Sequence, residues 1–329
     1  MAAINFQARR YMDILEPITN HNHILIMRLS LDALSVIDAI ARKGTFAAAA
    51  EELHRVPSAI TYTVQKLEQD LNLVLFDRSG HRAKLTTTGE ELLREGRKLL
   101  LAAHNLESRV KQIATGTEPE ITIAVSDAFP LERLFPLIAE FYAQGFGTRL
   151  RLRQEVLGGT WDALVSERAH LAIGVPGEGP ANESFVIQAM GTMRFVFVVA
   201  PDHPLAQYPD PIPNDELLQY RAIAAADSSR DLPPRTENLL SDQDVLTLPD
   251  LALKRVAHIA GLGVGSIPFY LAEDDLKSGR LVEKQVDGVG SSPPLYMAWD
   301  KNRVGNASQW LIDKLTEQAI FADLLQAMA

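Results

Sequence analysis

Apolar residues at helical spacing open the patterned part of the chain. They recur from Leu31 to Ala41, and Lys43-Gly44 is a typical helix end. An alanine-rich segment follows at 45–53, with Thr45 in the position of an N-cap. The pattern predicts two short helices, and the small side chains of the second allow another helix to cross it closely.

A third helix is predicted after a tight turn. HRVP (54–57) has the composition of a turn, and Pro57 suits the first position of a helix because its missing N–H would have no partner there. Apolar residues then recur over about 58–71. This order is typical of a helix-turn-helix, a motif that lays its last helix in the major groove of DNA. The alternative is a plain helical hairpin with a solvated face.

The outer face of this third helix is polar. Hydroxyl and amide groups can bond to base edges, and a lysine can reach phosphate. A basic Ser-Gly turn between Leu75-Phe76 and Leu85 predicts a wing that lies over the DNA backbone. The DNA-contacting candidates are Thr45, Pro57, Ser58, Thr61, Tyr62, Gln65 and Lys66, with Arg78, His81, Arg82 and Lys84 on the wing.

A long helix is predicted at about 89–115. Its apolar residues alternate steps of four and three, which is the heptad spacing of helices that pair with each other. This seam favours dimerisation over a helix that packs only on its own domain. The seam residues are Leu92, Leu99, Ala103, Leu106, Val110 and Ile113. ATGTEP (114–119) reads as the linker that follows.

The rest of the chain alternates strand and helix patterns. Strands are expected at 120–125, 149–157, 171–176, 193–205, 220–227, 264–269 and 294–300, and helices at 131–144, 160–170, 248–262 and 308–320. Such alternation predicts parallel sheets covered by helices. Their arrangement predicts two lobes, one made of 119–192 with 296–325 and the other of 193–295.

Ligands of such sheets bind beyond the carboxyl ends of the strands, here between the lobes. The effector-binding candidates are Ser126, Asp127, Phe129, Gly174, Val175, Thr192, Asp227, Ser228 and Ser266. Two of these are acidic, so an anionic effector is expected only if Arg194 or Arg230 offsets their charge. The glycines at 261–265 follow a helix and precede a strand, the reverse of a dinucleotide-binding loop, and are interpreted as a helix stop.

Charge divides the chain into two parts. The net charge is −10, yet residues 28–89 hold 8 Lys and Arg against 7 Asp and Glu, while residues 119–329 hold 17 against 28. A DNA-binding module at the N-terminus must therefore concentrate its positive charge on one face, and the acidic part is kept off DNA. The absence of cysteine excludes disulfides and thiolate metal sites. No metal or cofactor motif is found.

Targeting signals are missing from the sequence. No apolar run reaches the roughly 18–20 residues of a membrane helix, and no secretory signal is seen, so a cytoplasmic location is expected. Residues 1–26 fit none of the patterns and are interpreted as an upstream start or a loosely held extension, with Met27 as a candidate initiator.

Several motifs together resemble the LysR-type transcriptional regulators. They are Phe46, Ala48-Ala49-Ala50, Leu53, Ala59, Lys66-Leu67-Glu68, Leu75-Phe76-Asp77-Arg78, Leu85-Thr86 and Gly89. The resemblance covers about 28–325 and implies a regulator that binds promoter DNA as a dimer or tetramer, bends it, contacts RNA polymerase and responds to a small molecule. The family usually has Ser-Gln-Pro-Ala-x-Ser-Arg where this chain has VPSAITY (56–62), so Pro57 and Tyr62 replace two usual DNA contacts and a minority subgroup is implied.

The expected fold class is α+β. A winged helix-turn-helix is assigned to 27–88, a dimerisation helix to 89–116, and a two-lobed α/β effector domain, similar to periplasmic binding proteins, to 117–329. Two other functions stay open. An enzyme or transport module would use the two-lobed domain, although neither a signal peptide nor a nucleophile motif is present. A scaffold that only bends DNA would bind it without a ligand.

Overall fold

The computed structural model describes residues 28–77, 83–177, 179, 183–237, 239–287 and 294–326. The chain splits into two compact units, one that ends at Leu100 and one that begins at Leu101. The wing candidates Arg78, His81 and Arg82 lie outside the described residues, as does the segment 1–26 with Met27.

Local sequence signals place the helices of the first unit where they were predicted. They are α1 (Leu31–Lys43), α2 (Phe46–Glu52) and α3 (Pro57–Leu71). The hydroxyl of Thr45 accepts the Ala48 N–H at 3.1 Å and caps α2. Gly44, at φ +76°, ends α1 in a left-handed conformation that glycine adopts readily. One buried cluster joins these helices, and Val36, Ile37, Ala49, Ile60 and Val64 belong to it.

A short antiparallel hairpin follows α3. Its strands are β1 (Phe76–Asp77) and β2 (Lys84–Leu85). The Glu68 carboxylate accepts the backbone N–H groups of Leu75 and Phe76 at 2.8 and 3.2 Å, which ties the end of α3 to the hairpin. The long helix α4 (Thr87–Thr115) comes next. A Cβ at Gly89 would lie 2.2 Å from the Leu75 carbonyl oxygen, so only glycine allows this close approach.

The second unit alternates strands and helices. In chain order they are β3 (Glu120–Ser126), α5 (Phe135–Ala143), β4 (Arg149–Glu155), α6 (Gly159–Val165), β5 (Leu171–Pro176), β6 (Phe185–Met193), β7 (Phe195–Val199), α7 (Asn214–Leu217), β8 (Ala222–Ala225), β9 (Val245–Leu248), α8 (Leu251–Ile259), β10 (Gly265–Pro268), α9 (Phe269–Lys277), β11 (Val282–Lys284), β12 (Pro294–Asp300), α10 (Asn306–Gln318) and β13 (Leu325–Gln326). Among the described residues, no helix is long and apolar enough to cross a membrane.

The first lobe contains a mixed sheet. Its strand order is β13-β6-β12-β5-β3-β4. Strands β4, β3 and β5 run parallel to one another, whereas β12 pairs antiparallel with both β5 and β6. β3 is buried along almost its whole length, as expected for a strand covered on both faces. The sequence pattern predicts the parallel part correctly and misses β6.

The second lobe corrects the prediction of a purely parallel unit. β7 pairs antiparallel with both β10 and β11, whereas β8 and β9 form a parallel pair and Ala222 of β8 also makes a parallel bridge to Val264. The sequence pattern also misses α7, α9, β9, β11 and β13. The strands β9, β11 and β13 have two to four residues, too few to show a period of their own, and they form because pairing with distant strands satisfies their backbone. The expectation of two α/β lobes is confirmed.

Candidate functional site

The outer face of α3 is polar and open to solvent. Ser58, Tyr62, Gln65 and Lys66 are exposed, and the Tyr62 side chain is 65% exposed although it is large and aromatic. The opposite face is fixed, because Ile60, Val64 and Leu67 are buried in the core of the first unit. The helix therefore presents an amide, hydroxyls and a cation on a rigid support. These groups suit contacts to base edges and phosphates.

Three other DNA-contacting candidates have specific local positions. Pro57 is exposed at the first turn of α3, and Lys84 is exposed on β2 of the hairpin. The Thr61 hydroxyl donates to the Pro57 carbonyl oxygen at 3.0 Å, so it can offer a ligand only its acceptor lone pairs. The structure gives the Thr45 hydroxyl a role as the cap of α2.

An apolar row lies exposed along α4. The exposed fractions are 50% for Leu99, 58% for Leu106 and Val110, and 84% for Ile113. Ala103 is half-buried. Leu92 differs from the other seam residues, because it packs against the core cluster of the first unit. A row of this kind, spaced at heptad positions, is suited to pairing with another helix.

A cleft that is open to solvent lies between the lobes of the second unit. Its apolar walls include Val156, Leu157, Phe195, Leu251 and Leu295. Ser126, Asp127, Gly174 and Ser266 also line it, so the structure brings four of the candidate effector residues together. The other five do not line it.

The carboxylate of Asp127 bridges the two walls of the cleft. It follows β3 in the first lobe and accepts the backbone N–H of Leu251, the first residue of α8 in the second lobe, at 3.0 Å. Burial raises the pKa of Asp127 to about 6, and the nearby negative charge of Asp250 acts in the same direction. The Leu251 hydrogen bond and the ammonium of Lys254 oppose that increase.

Lys254 supplies a cation that the sequence analysis did not single out. It lies on α8, lines the cleft and is only 8% exposed. Burial lowers the pKa of Lys254 to about 8, while the carboxylates of Asp127 and Glu237 oppose the decrease. The available signal was a lysine within the helix predicted at 248–262, at a position that the helical period turns inward.

A segment of the second lobe, residues 226–235, crosses to the first lobe and is called here the strap. The carboxylate of Asp227 accepts the N–H of Gly158 at 3.0 Å, and the Ser228 hydroxyl accepts the N–H of Val156 at 2.9 Å. In return, Asp162 in α6 accepts the N–H groups of Asp231 and Leu232 at 2.8 and 2.7 Å. The structure thus gives two predicted effector residues, Asp227 and Ser228, a role in joining the lobes.

The remaining candidates lie in the packed interior or on another face. Phe129 is fully buried and packs on Phe321 with ring centroids 4.7 Å apart. Val175 is buried in the cluster around Trp161, on the side of β5 away from the cleft-lining Gly174. Thr192 lies on β6, where it pairs with Pro294 of β12 on one side and Gln326 of β13 on the other. Successive side chains of a strand point to opposite faces, so every second residue near a strand end points away from the cleft. The prediction from strand ends did not take this alternation into account.

The two arginines considered as balancing charges also lie elsewhere. Arg194 forms an ion pair with Glu283 at 3.0 Å and stacks over the Phe269 ring at 4.0 Å. Arg230 does not line the cleft, and its surroundings include Arg168 and Arg153. Neither arginine compensates Asp127.

Both units of the chain are similar to known proteins. Residues 31–90 match the model of the bacterial regulatory helix-turn-helix proteins of the lysR family, and residues 114–320 match the LysR substrate binding domain. A relative from Escherichia coli (strain K12), the uncharacterized HTH-type transcriptional regulator YeeY, is 40% identical over 296 residues, which cover 90% of this chain and 96% of the relative.

Solved structures show the same fold at lower identity. A probable transcriptional regulator from Pseudomonas aeruginosa matches with a TM-score of 0.53 and 22% identity, over 90% of this chain and 99% of that one. Full-length CbnR complexed with its target DNA matches with a TM-score of 0.55 and 18% identity, over 88% of this chain and 99% of that one.

Proposed function

The chain belongs to the family of LysR-type transcriptional regulators, and we propose that it binds promoter DNA through α3 and the hairpin, pairs through α4 and responds to a small molecule in the interlobe cleft. The observation that carries the DNA-binding part is the polar, exposed face of α3 within the module that matches the family's helix-turn-helix model. Since bacterial DNA is cytoplasmic, the protein acts in the cytoplasm.

The assignment of DNA contacts divides them by chemistry. Lys66 carries a positive charge on the exposed face of α3, and it is assigned to a phosphate contact. Ser58, Tyr62 and Gln65 serve as base contacts, with Tyr62 in the place of the arginine usual in the family. Thr45 caps the start of α2, and Pro57 and Thr61 position the start of α3. Lys84, with the basic wing residues Arg78, His81 and Arg82, contacts the DNA backbone.

Footprinting of the full chain on the DNA that flanks its own gene tests this assignment. Protection at sites spaced by whole helical turns is expected. Lys66→Ala should weaken binding to all sequences and reduce the salt slope by about one, while Tyr62→Ala should cost about 1–3 kcal/mol at particular bases. Lys111→Ala, which removes an exposed lysine of α4, is the matched control. Absence of any protection at low salt would contradict the DNA-binding proposal.

Self-association is assigned to the exposed row of α4. Burying Leu99, Leu106, Val110 and Ile113 against a second copy would remove an apolar surface that is otherwise in water. Val110→Glu should therefore shift the protein toward the monomer in sedimentation experiments. Glu107→Ala on the same helix is the control. An unchanged oligomeric state in Val110→Glu would assign the interface to another surface.

Regulation follows from ligand binding in the second unit. A ligand in the cleft shifts the populations of sensor conformations and thereby the spacing or angle of the paired DNA-binding modules. The DNA-bound protein contacts RNA polymerase and has no catalytic role. Transcription in vitro with purified polymerase, with and without the protein, tests the polymerase contact. Turnover of a bound ligand would instead favour an enzyme.

A further inference from the structure

The N-terminal end of α8 forms part of the cleft wall. Unpaired amides at such an end attract anions, because N–H groups and the helix dipole point at the ligand. In this chain the first amide, that of Leu251, already donates to Asp127 at 3.0 Å. The Leu253 amide donates to the Asp250 carboxylate at 2.8 Å, and the Lys254 amide donates to the Asp250 carbonyl oxygen at 3.0 Å. Internal partners thus already use three amides of this helix end, those of Leu251, Leu253 and Lys254.

The opposite wall is occupied in the same way. The amides of Val156 and Gly158 donate to the strap side chains of Ser228 and Asp227. A Cβ added at Gly158 would lie 2.8 Å from an Asp227 carboxylate oxygen, so the strap leaves no space for a ligand group there. The amides of Val156 and Gly158 on this wall, like those of Leu251 and Leu253 on the other, are consequently used inside the protein.

The charged side chains that line the cleft repel an anion. Among the described lining residues, the carboxylates are Asp127 and Glu237, and the cation is Lys254. Lys254 is buried and already within the field of both carboxylates, so its charge is largely balanced. A ligand carboxylate or phosphate would face a net negative lining, whereas a ligand amine or hydroxyl would find acceptors.

We propose that the molecule which occupies this cleft is uncharged or cationic, with a mostly apolar body and at least one hydrogen-bond donor, and that carboxylates and phosphates are excluded. This inference rests on the proposed effector role of the cleft. The apolar body packs against Val156, Phe195 and Leu295, and the donor group faces Asp127 or Glu237. Ser126 and Ser266 supply hydroxyls that orient the ligand.

Three probes of one shape test the charge preference directly. Naphthylmethylamine, naphthylmethanol and naphthoate share a ring system and differ in charge. Their binding to the full chain is measured by calorimetry and by ligand-detected NMR at neutral pH. The amine and the alcohol should each bind at least about tenfold more tightly than the carboxylate, which corresponds to about 1.4 kcal/mol.

Variants assign the preference to the cleft. Asp127→Asn should reduce amine binding about tenfold and improve naphthoate binding, while Asp274→Asn, on the exposed side of α9, should change neither. Thr236→Trp should weaken every probe that binds in the cleft, because Thr236 is an exposed lining residue whose enlargement fills the space without disturbing the core.

Failure of the charge preference and failure of the effector role of the cleft give different results. If naphthoate bound most tightly, and Lys254→Met and Thr236→Trp both abolished its binding, the cleft would be a ligand site and the charge inference would be overturned. If no probe bound at millimolar concentration, or if Thr236→Trp changed nothing, the effector role of the cleft would itself be contradicted. DNA binding by the first unit would be unaffected by either result.

Discussion

Removal of one strap carboxylate should weaken the whole second unit. In Asp227→Ala the N–H of Gly158 loses its acceptor at 3.0 Å, and the N–H groups of Ser229 and Arg235 lose acceptors at 2.6 and 2.7 Å. Gly158 is buried, so its orphaned amide costs about 1–3 kcal/mol. Water reaches the more exposed Ser229 and Arg235 amides, and each then loses about 0.5 kcal/mol. The expected destabilisation is about 2–4 kcal/mol.

Intrinsic fluorescence measures this change in the full chain. All three tryptophans, Trp161, Trp299 and Trp310, lie in the second unit, so urea titration followed at their emission reports that unit alone. Trp161 packs in the cluster that the strap residue Leu232 joins, which makes it sensitive to release of the strap.

A matched variant separates the effect from loss of charge. Asp274→Ala removes an exposed carboxylate from the same lobe and should change stability by no more than about 0.5 kcal/mol. If Asp227→Ala shifted the unfolding free energy no more than Asp274→Ala, the strap would not hold the lobes together and the hydrogen-bond argument would be refuted.

Three further substitutions have expected outcomes. Gly174→Ala should destabilise the second unit by about 2–4 kcal/mol in the same urea assay, because φ of Gly174 is +76° and the new Cβ would lie 2.4 Å from the Phe129 ring. A change below about 1 kcal/mol would contradict this prediction. Gly89→Ala should lower the melting temperature and abolish DNA binding, because the new Cβ would clash with the Leu75 carbonyl oxygen. Thr88→Ala, at the neighbouring exposed position, should change neither. Wild-type behaviour of Gly89→Ala would refute the close approach. The free energy of unfolding of the wild type should fall as pH rises from about 4 to 6, because the folded-state pKa of Asp127 is raised to about 6 and the folded protein binds an extra proton in that window. Asp127→Asn should abolish this part of the pH dependence. Identical curves of stability against pH for the two proteins would contradict the prediction.

The pH effect is a property of several facing groups. Lys254 and the Leu251 amide favour the charged form of Asp127, while burial and Asp250 favour the neutral form. Burial has the largest effect, so the net pKa is raised. Comparison with Asp127→Asn is needed because other carboxylates change stability in the opposite direction. For example, burial tends to raise the pKa of Asp162, but hydrogen bonds from backbone amides and from Arg168 outweigh it, and the net pKa is lowered.

Local signals were sufficient for the first unit. Thr45, Pro57 and Gly44 act on their own helix ends, so the sequence predicts α1 to α3 within a residue or two. Helical period alone also separates the buried Val64 from the exposed Lys66. The family assignment made from these motifs is confirmed by the matches over 31–90 and 114–320.

Local signals failed where direction and distance along the chain matter. The antiparallel course of β7 against β10 depends on partners about 70 residues apart, and strand patterns carry no information about direction. In the cleft, Asp127 and Gly174 were predicted from strand ends, but Phe129 points into the core and the strap removes Asp227.

The amino-acid sequence by itself determined the three-helix module, the heptad row of α4 and the alternation of strands and helices, because period, caps and turns act within a few residues. Only the tertiary structure decided which polar groups remain available to a ligand. Asp127, Asp227 and Lys254 look equally free in the sequence. In the structure the strap hydrogen bonds occupy Asp227, and burial beside carboxylates balances Lys254. One carboxylate oxygen of Asp127 accepts the Leu251 amide, and Asp127 still lines the cleft. That competition between internal partners and a ligand exists only once distant segments have packed together.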